Sequence, residues 1–228
     1  MIKIKKDGFT LSEVLITLAV VGTLAVMVLP GLIKDANNKA MVTLLQSTLS
    51  NISSAIQTEV VNTRTSNLED TDIIKNPEAF FKKYLDVKRV CTNANPCMIT
   101  SSSNPNKLNT LSGGTISNGT AEVFLLLNSG VSVGFHKNGV GNNVASIFID
   151  LNGLNDPNTV GIDFWIFDIQ KKTDLNANPP THAGEMGGRE SYKNASKATL
   201  KSNCRRGIAP ACYTLLERSG FDPDYINK

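Results

Sequence analysis

The residue that demands chemistry first is Glu13, a lone carboxylate inside an apolar run from Phe9 to Leu29. Burying it in hydrocarbon costs on the order of 2.5–3.5 kcal/mol at the centre of a spanning helix, so it needs a partner. No Lys or Arg lies between Phe9 and Ile33 to supply one. A chain terminus can: if the backbone is cut between Gly8 and Phe9, Phe9 gains an amine. That amine lies four residues before Glu13, on the same helix face. The pairing can form within one chain or with the amine of a neighbouring copy.

The second group is the loop Asp150-Leu-Asn-Gly-Leu-Asn-Asp-Pro-Asn-Thr-Val-Gly-Ile-Asp163. Asp150, Asn152, Asp156 and Asp163 offer hard oxygen ligands, and Gly153 permits a sharp turn, the ingredients of a calcium loop. It is not an EF-hand, because no Glu stands at the twelfth position and the flanks read as strands. The competing expectation is a plain structured hairpin, since Asp and Asn also make turns through their own backbone.

Four cysteines allow three pairings. The local pairs Cys91–Cys97 and Cys204–Cys212 are the expectation. Neither has the C-x2-C spacing of a zinc site. Lys193, Lys197, Lys201 and Arg205 are spaced by four, with Arg206 adjacent. On a helix they share a face that could meet nucleic-acid phosphates, although a solvated face is the commoner reason for such spacing. His136 and His182 sit in no nucleophile motif, and no phosphate-binding loop of the GxxxxGK[ST] type occurs. An enzyme is not expected, and no cofactor other than calcium is suggested.

These groups must be positioned by recognisable elements. The chain has 228 residues, 41% of them hydrophobic and 19% charged, with a formal net charge of +3. Those values fit a globular chain and exclude a disordered one; the charge is too small to imply a polyanionic partner by itself. Lys3, Lys5 and Lys6 precede the apolar run, which orients the N-terminus toward the cytoplasm and sends the bulk of the chain across the membrane. Phe9–Leu29 would span roughly 31 Å as a helix, about one bilayer core. A secretory signal peptide fits less well: the run is long, no small-x-small cleavage site follows, and Glu13 interrupts it. A simple signal anchor fits the length and leaves Glu13 unexplained. Gly22 and Pro30 weaken the helix interior, Pro30 by removing the donor to the Val26 carbonyl, and mark a candidate flexible segment.

Beyond Leu32 the helix turns amphipathic, with Met41, Leu44, Leu45, Leu49, Ile52, Ile56 and Val60 in a stripe ending near Asn62. Residues 63–120 read as an irregular connection. It is interrupted by a helix start at Asn76-Pro77-Glu78, whose buried face would be Phe80, Phe81, Tyr84 and Leu85. Strand signals follow at Glu122–Leu127, Val131–Phe135, Ala145–Leu151 and Ile162–Ile169, joined by short turns that favour an antiparallel sheet. Residues 176–188 read as a surface loop. Ala209–Arg218 reads as a short helix, tied down by a Cys204–Cys212 bridge. The expected fold class is therefore α+β, a long N-terminal helix followed by an antiparallel head.

Gly8, then Phe9-Thr10-Leu11-Ser12-Glu13-Val14 and the apolar helix, resembles the class III signal of type IV pilins and type II secretion pseudopilins. The likeness covers about 25 residues: basic leader, Gly at the cut, Phe next, Glu at the fifth position of the trimmed chain. It implies cleavage after Gly8 by a membrane prepilin peptidase and N-methylation of Phe9. It also implies that Glu13 neutralises a neighbouring Phe9 amine during filament assembly, and that the helix unwinds in part between positions such as Gly22 and Pro30. The domains it implies are a leader at 1–8, a spanning helix at 9–30, its amphipathic continuation at 31–62 and a pilin-like head at 63–228. The function implied is that of a type IV pilus subunit, major or minor. A secretion pseudopilin and an adhesive or DNA-binding tip subunit are the alternatives. The partners implied are copies of itself and other pilins, the peptidase, an inner-membrane assembly platform and, before assembly, lipid. The location implied is the inner membrane with the head outside the cytoplasm, then a pilus or pseudopilus.

Overall fold

The computed structural model describes residues 10–92, 96–98, 108–116, 121–139, 141–172, 183–188 and 190–227. The chain divides into two compact units between Ala40 and Met41. One helix, α1 (Leu11–Thr63), contributes to both.

The first unit carries the apolar half of α1. An 18-residue window there reaches a mean hydropathy of 2.4, and none of that window is buried. Every large exposed apolar side chain among the described residues, apart from Val61 and Leu154, lies between Leu11 and Ile33. This half is long and apolar enough to cross a membrane. Pro30 sits inside α1 without ending it.

The second unit is an α+β head, as the strand signals and the helical stripe imply. In the α1 residues that belong to it, Leu45, Ile52 and Ile56 are fully buried. Met41, Leu44, Leu49 and Val60 pack partly buried against the same core. Two short helices follow, α2 (Asp72–Lys75) and α3 (Pro77–Tyr84). The expected start of α3 forms: the Asn76 side chain accepts from the Ala79 N–H, and Pro77 occupies the first turn, where no backbone donor is missed. Phe80 and Phe81 are buried beneath it, and Tyr84 and Leu85 are half-buried.

The main sheet has six antiparallel strands in the order β1-β4-β5-β6-β7-β8. They are β1 (Val87–Cys91), β4 (Val123–Leu127), β5 (Ser132–Lys137), β6 (Asn143–Asp150), β7 (Phe164–Gln170) and β8 (Met186–Gly187). A separate pair joins β2 (Leu108–Asn109) to β3 (Thr115–Ile116). The register lays Val133 beside Ile149 and Trp165, and Phe135 beside Ile147 and Phe167. This face meets the helices: Phe135 lies 5.9 Å from the Phe81 ring, and Phe167 lies 4.6 Å edge-on from Tyr213. Strands β6 and β7 are buried on both faces. On the second face the Ser146 hydroxyl and the Asn143 amide donate to Asp168, satisfying a buried carboxylate.

Residues 63–120 depart from the expected irregular connection. They include β1, which pairs with β4 as an edge strand and carries a register shift between Val87 and Arg89. The reading missed it because Lys88 and Arg89 are polar and exposed, as edge residues often are. The chain ends in α4 (Lys197–Arg205) and α5 (Ala209–Arg218). Beyond α5 the tail is anchored: Tyr225 is buried and its hydroxyl donates to the Gly161 carbonyl at 2.6 Å. Gly161 has φ +86°, and a Cβ there would fall 2.8 Å from that hydroxyl, so this close approach requires glycine.

Candidate functional site

At the start of α1, Glu13 has a local partner that the search for a cation overlooked. The Thr10 N–H and the Thr10 hydroxyl both donate to Glu13 Oε2 at 2.8 Å. The Glu13 N–H points back to the Thr10 hydroxyl at 3.3 Å. Thr10-Leu11-Ser12-Glu13 is thus a capping box, in which each end satisfies orphan donors of the other. The S/T-x-x-E spacing was the signal for it. A cut before Phe9 leaves the Thr10 amide intact, so the box survives trimming. The hydrogen bonds do not neutralise the charge, and the carboxylate stays at the head of an uncovered apolar helix. The Gly8–Phe9 bond lies outside the described residues. A Cβ added at Gly22 would meet nothing within 4 Å among the described residues beyond the helix's own backbone.

A second glutamate on α1 went unremarked in the sequence. Glu59 is 3% exposed. It accepts from the Tyr84 hydroxyl at 2.7 Å, Lys83 Nζ at 3.2 Å and the Asp72 N–H at 3.4 Å. Burial pushes its carboxyl upward, but these three donors outweigh that and hold it below its ordinary value. Its role is to clamp α1 to α2 and α3.

The Asp150–Asp163 loop joins β6 to β7. Asp150 and Asp163 are both fully buried. Asp163 accepts from the Thr159 N–H at 2.6 Å and the Asn158 N–H at 2.8 Å. Burial is the main cause raising its carboxyl, opposed by those donors and the Asn152 side chain. Asp150 accepts from the Asn152 N–H at 3.3 Å through Oδ1, and the Gly153 N–H also acts on its carboxylate. Burial, then the Asp163 charge, push it up to about 8. Asp150 Oδ2, Asn152 Oδ1 and Asn158 Oδ1 are buried without a hydrogen-bond partner among the described residues. Asp156, expected beside them, is exposed. Its carbonyl and carboxylate instead take the Asn152 and Asn158 amide N–H groups at 2.9 and 3.3 Å. Asn158, with φ +46°, stands where Asp156 was expected.

Residues 3–29 match the family described as the prokaryotic N-terminal methylation motif. The chain carries the class III signal of type IV pilins and pseudopilins. A motif of this type implies processing by a prepilin peptidase and assembly with other pilins. Together with the uncovered helix, it points to membrane anchoring. No curated protein and no solved structure matches the chain.

The other expected groups of the head are placed as follows. Disulfides join Cys91 to Cys97 and Cys204 to Cys212. The second links α4 to α5 and lies against the Tyr225 hydroxyl, 3.8 Å from Cys204 Sγ. Of the basic stripe, Lys197, Lys201 and Arg205 share α4. Lys193 precedes that helix, and its carbonyl accepts from Arg218. Arg206 caps the end of α4 and donates to Asn203. The stripe of four spaced cations expected on a single helix, with Arg206 adjacent, is therefore reduced to three positions. His136 lies 3.7 Å from Glu122 on the surface, and His182 falls outside the described residues.

Proposed function

We propose that the protein is a structural subunit of a type IV pilus, trimmed between Gly8 and Phe9 and assembled through the N-terminal half of α1. The observation that carries this reading is the coincidence of the methylation motif with a helix whose apolar side chains, Leu11 to Ile33, stand exposed among the described residues. Such a surface is stable only in lipid or against other copies of itself. Before assembly, lipid covers it, with the head outside the cytoplasm as the leader lysines dictate. In the fibre, neighbouring helices cover it. Glu13, already held at the helix start by Thr10, then meets the methylated Phe9 amine of an adjacent subunit and loses its uncompensated charge.

Mass spectrometry of the native protein tests this directly. The expected N-terminus is methyl-Phe9. An intact Met1 in assembled, functional material, or a cut beyond residue 30, sinks the reading. Sheared surface fibres containing the chain distinguish a pilus from a periplasmic pseudopilus.

A further inference from the structure

We propose that the loop between β6 and β7 is a calcium site, held by the carboxylates of Asp150 and Asp163 and the amide oxygens of Asn152 and Asn158. This goes beyond the filament role and does not depend on it.

The argument starts from what the loop leaves unsatisfied. Three oxygens, Asp150 Oδ2, Asn152 Oδ1 and Asn158 Oδ1, are buried without a hydrogen-bond partner among the described residues. Every one is an acceptor. Buried acceptors left unmade cost about 1–3 kcal/mol each, so three in one loop need a common answer. Their neighbours bring them together. Asp150 Oδ1 takes the Asn152 N–H, Asp163 takes the Asn158 N–H, and the Asn152 side-chain amide donates to Asp163. The two carboxylates, both fully buried, repel each other. No Lys, Arg or His occurs from Asp150 to Asp163, and among the described residues no ion pair reaches either acid.

The orientation of the amides is not free. Asp156 engages both Nδ2 groups, which fixes the two amide planes and identifies each Oδ1 as the atom left without a donor. Asp156 is thereby a positioning residue rather than a ligand.

A shared proton would quiet the two acids but satisfy only one acceptor. A dication answers all of them at once and cancels two negative charges. Among the described residues no three His, Cys, Asp or Glu side chains converge, so the set is two carboxylates completed by neutral oxygens. Oxygen donors without nitrogen or sulfur disfavour zinc. Irregular loop oxygens favour calcium over magnesium, which insists on octahedral geometry and retained waters.

The test uses the full chain in detergent, stripped with EDTA and melted with and without added calcium. Trp165, the only tryptophan, lies two residues beyond Asp163 and reports on the loop. Saturating calcium should raise Tm by about 5–10 °C, magnesium should do less, and metal analysis should find about one calcium per chain. Asp150→Asn should abolish the shift. If that variant does not fold, Asn158→Ala, which keeps both charges, should weaken calcium at least about tenfold. Asp168→Asn, in a buried carboxylate away from the loop, should keep the shift. The proposal is overturned if calcium leaves the Tm of the wild type unchanged. It is equally overturned if the variants that fold respond as the wild type does, because the ion then binds elsewhere.

Discussion

Glu13 and Glu59 lie on the same helix and are treated in opposite ways. Glu59 is buried in the head, where Tyr84, Lys83 and the Asp72 N–H surround it. Glu13 stands on the exposed half, where its partners among the described residues are the neutral groups of Thr10. A carboxylate whose counter-charge is supplied inside the chain serves folding. One given hydrogen bonds but no counter-charge is left available to another molecule. The two halves of α1 differ in the same sense: the head half buries its stripe within the head, and the other half leaves its apolar side chains exposed.

The sharpest way to break this contrast is Glu13→Ala. Cleavage should proceed, while the yield of sheared filaments falls at least about tenfold, the charge pair being worth a few kcal/mol. A wild-type yield would remove Glu13 from assembly. Glu59→Gln should do the reverse, lowering head stability by about 1–3 kcal/mol in urea melts and leaving cleavage untouched. Because the folded state holds Glu59 below its ordinary value of 4.5, its contribution is present above that pH and is lost as pH falls through the depressed value. The wild type should therefore lose stability to acid below about pH 4.5 more steeply than Glu59→Gln, and parallel acid profiles would deny Glu59 that role. Tyr84→Phe removes one of its donors and should cost about 1 kcal/mol in the same melts. Smallest in its effect on fibres is Thr10→Ala. It frays the helix start by about 1 kcal/mol but keeps the carboxylate, so filament yield should fall much less than for Glu13→Ala.

Much of the architecture was legible because two periodicities are strong in the sequence. The stripe from Met41 to Val60 marks the head half of α1, and β4 to β7 emerge within one or two residues of their expected bounds. Strand β1 was hidden because an edge strand needs no apolar alternation, and Val87-Lys88-Arg89-Val90 shows little. The Thr10–Glu13 box was readable from spacing alone, but an acid in an apolar run drew attention to charge rather than to capping. Glu59 could not be singled out: its partners come from 13 to 25 residues away, and only the packed helices bring them there. The choice of Asn158 over Asp156 in the β6–β7 loop was also out of reach. Spacing shows which oxygens a loop owns, whereas the turn at Asn158 decides which face inward.

Both margins of the main sheet are poor templates for further pairing. At one, β1 presents two cations beside a register shift; at the other, β8 is two residues long. Proteins crowded at very high local concentration run the hazard of zipping margin to margin into amyloid-like stacks. A head with such blunted borders can be packed densely against its own kind while remaining a discrete body.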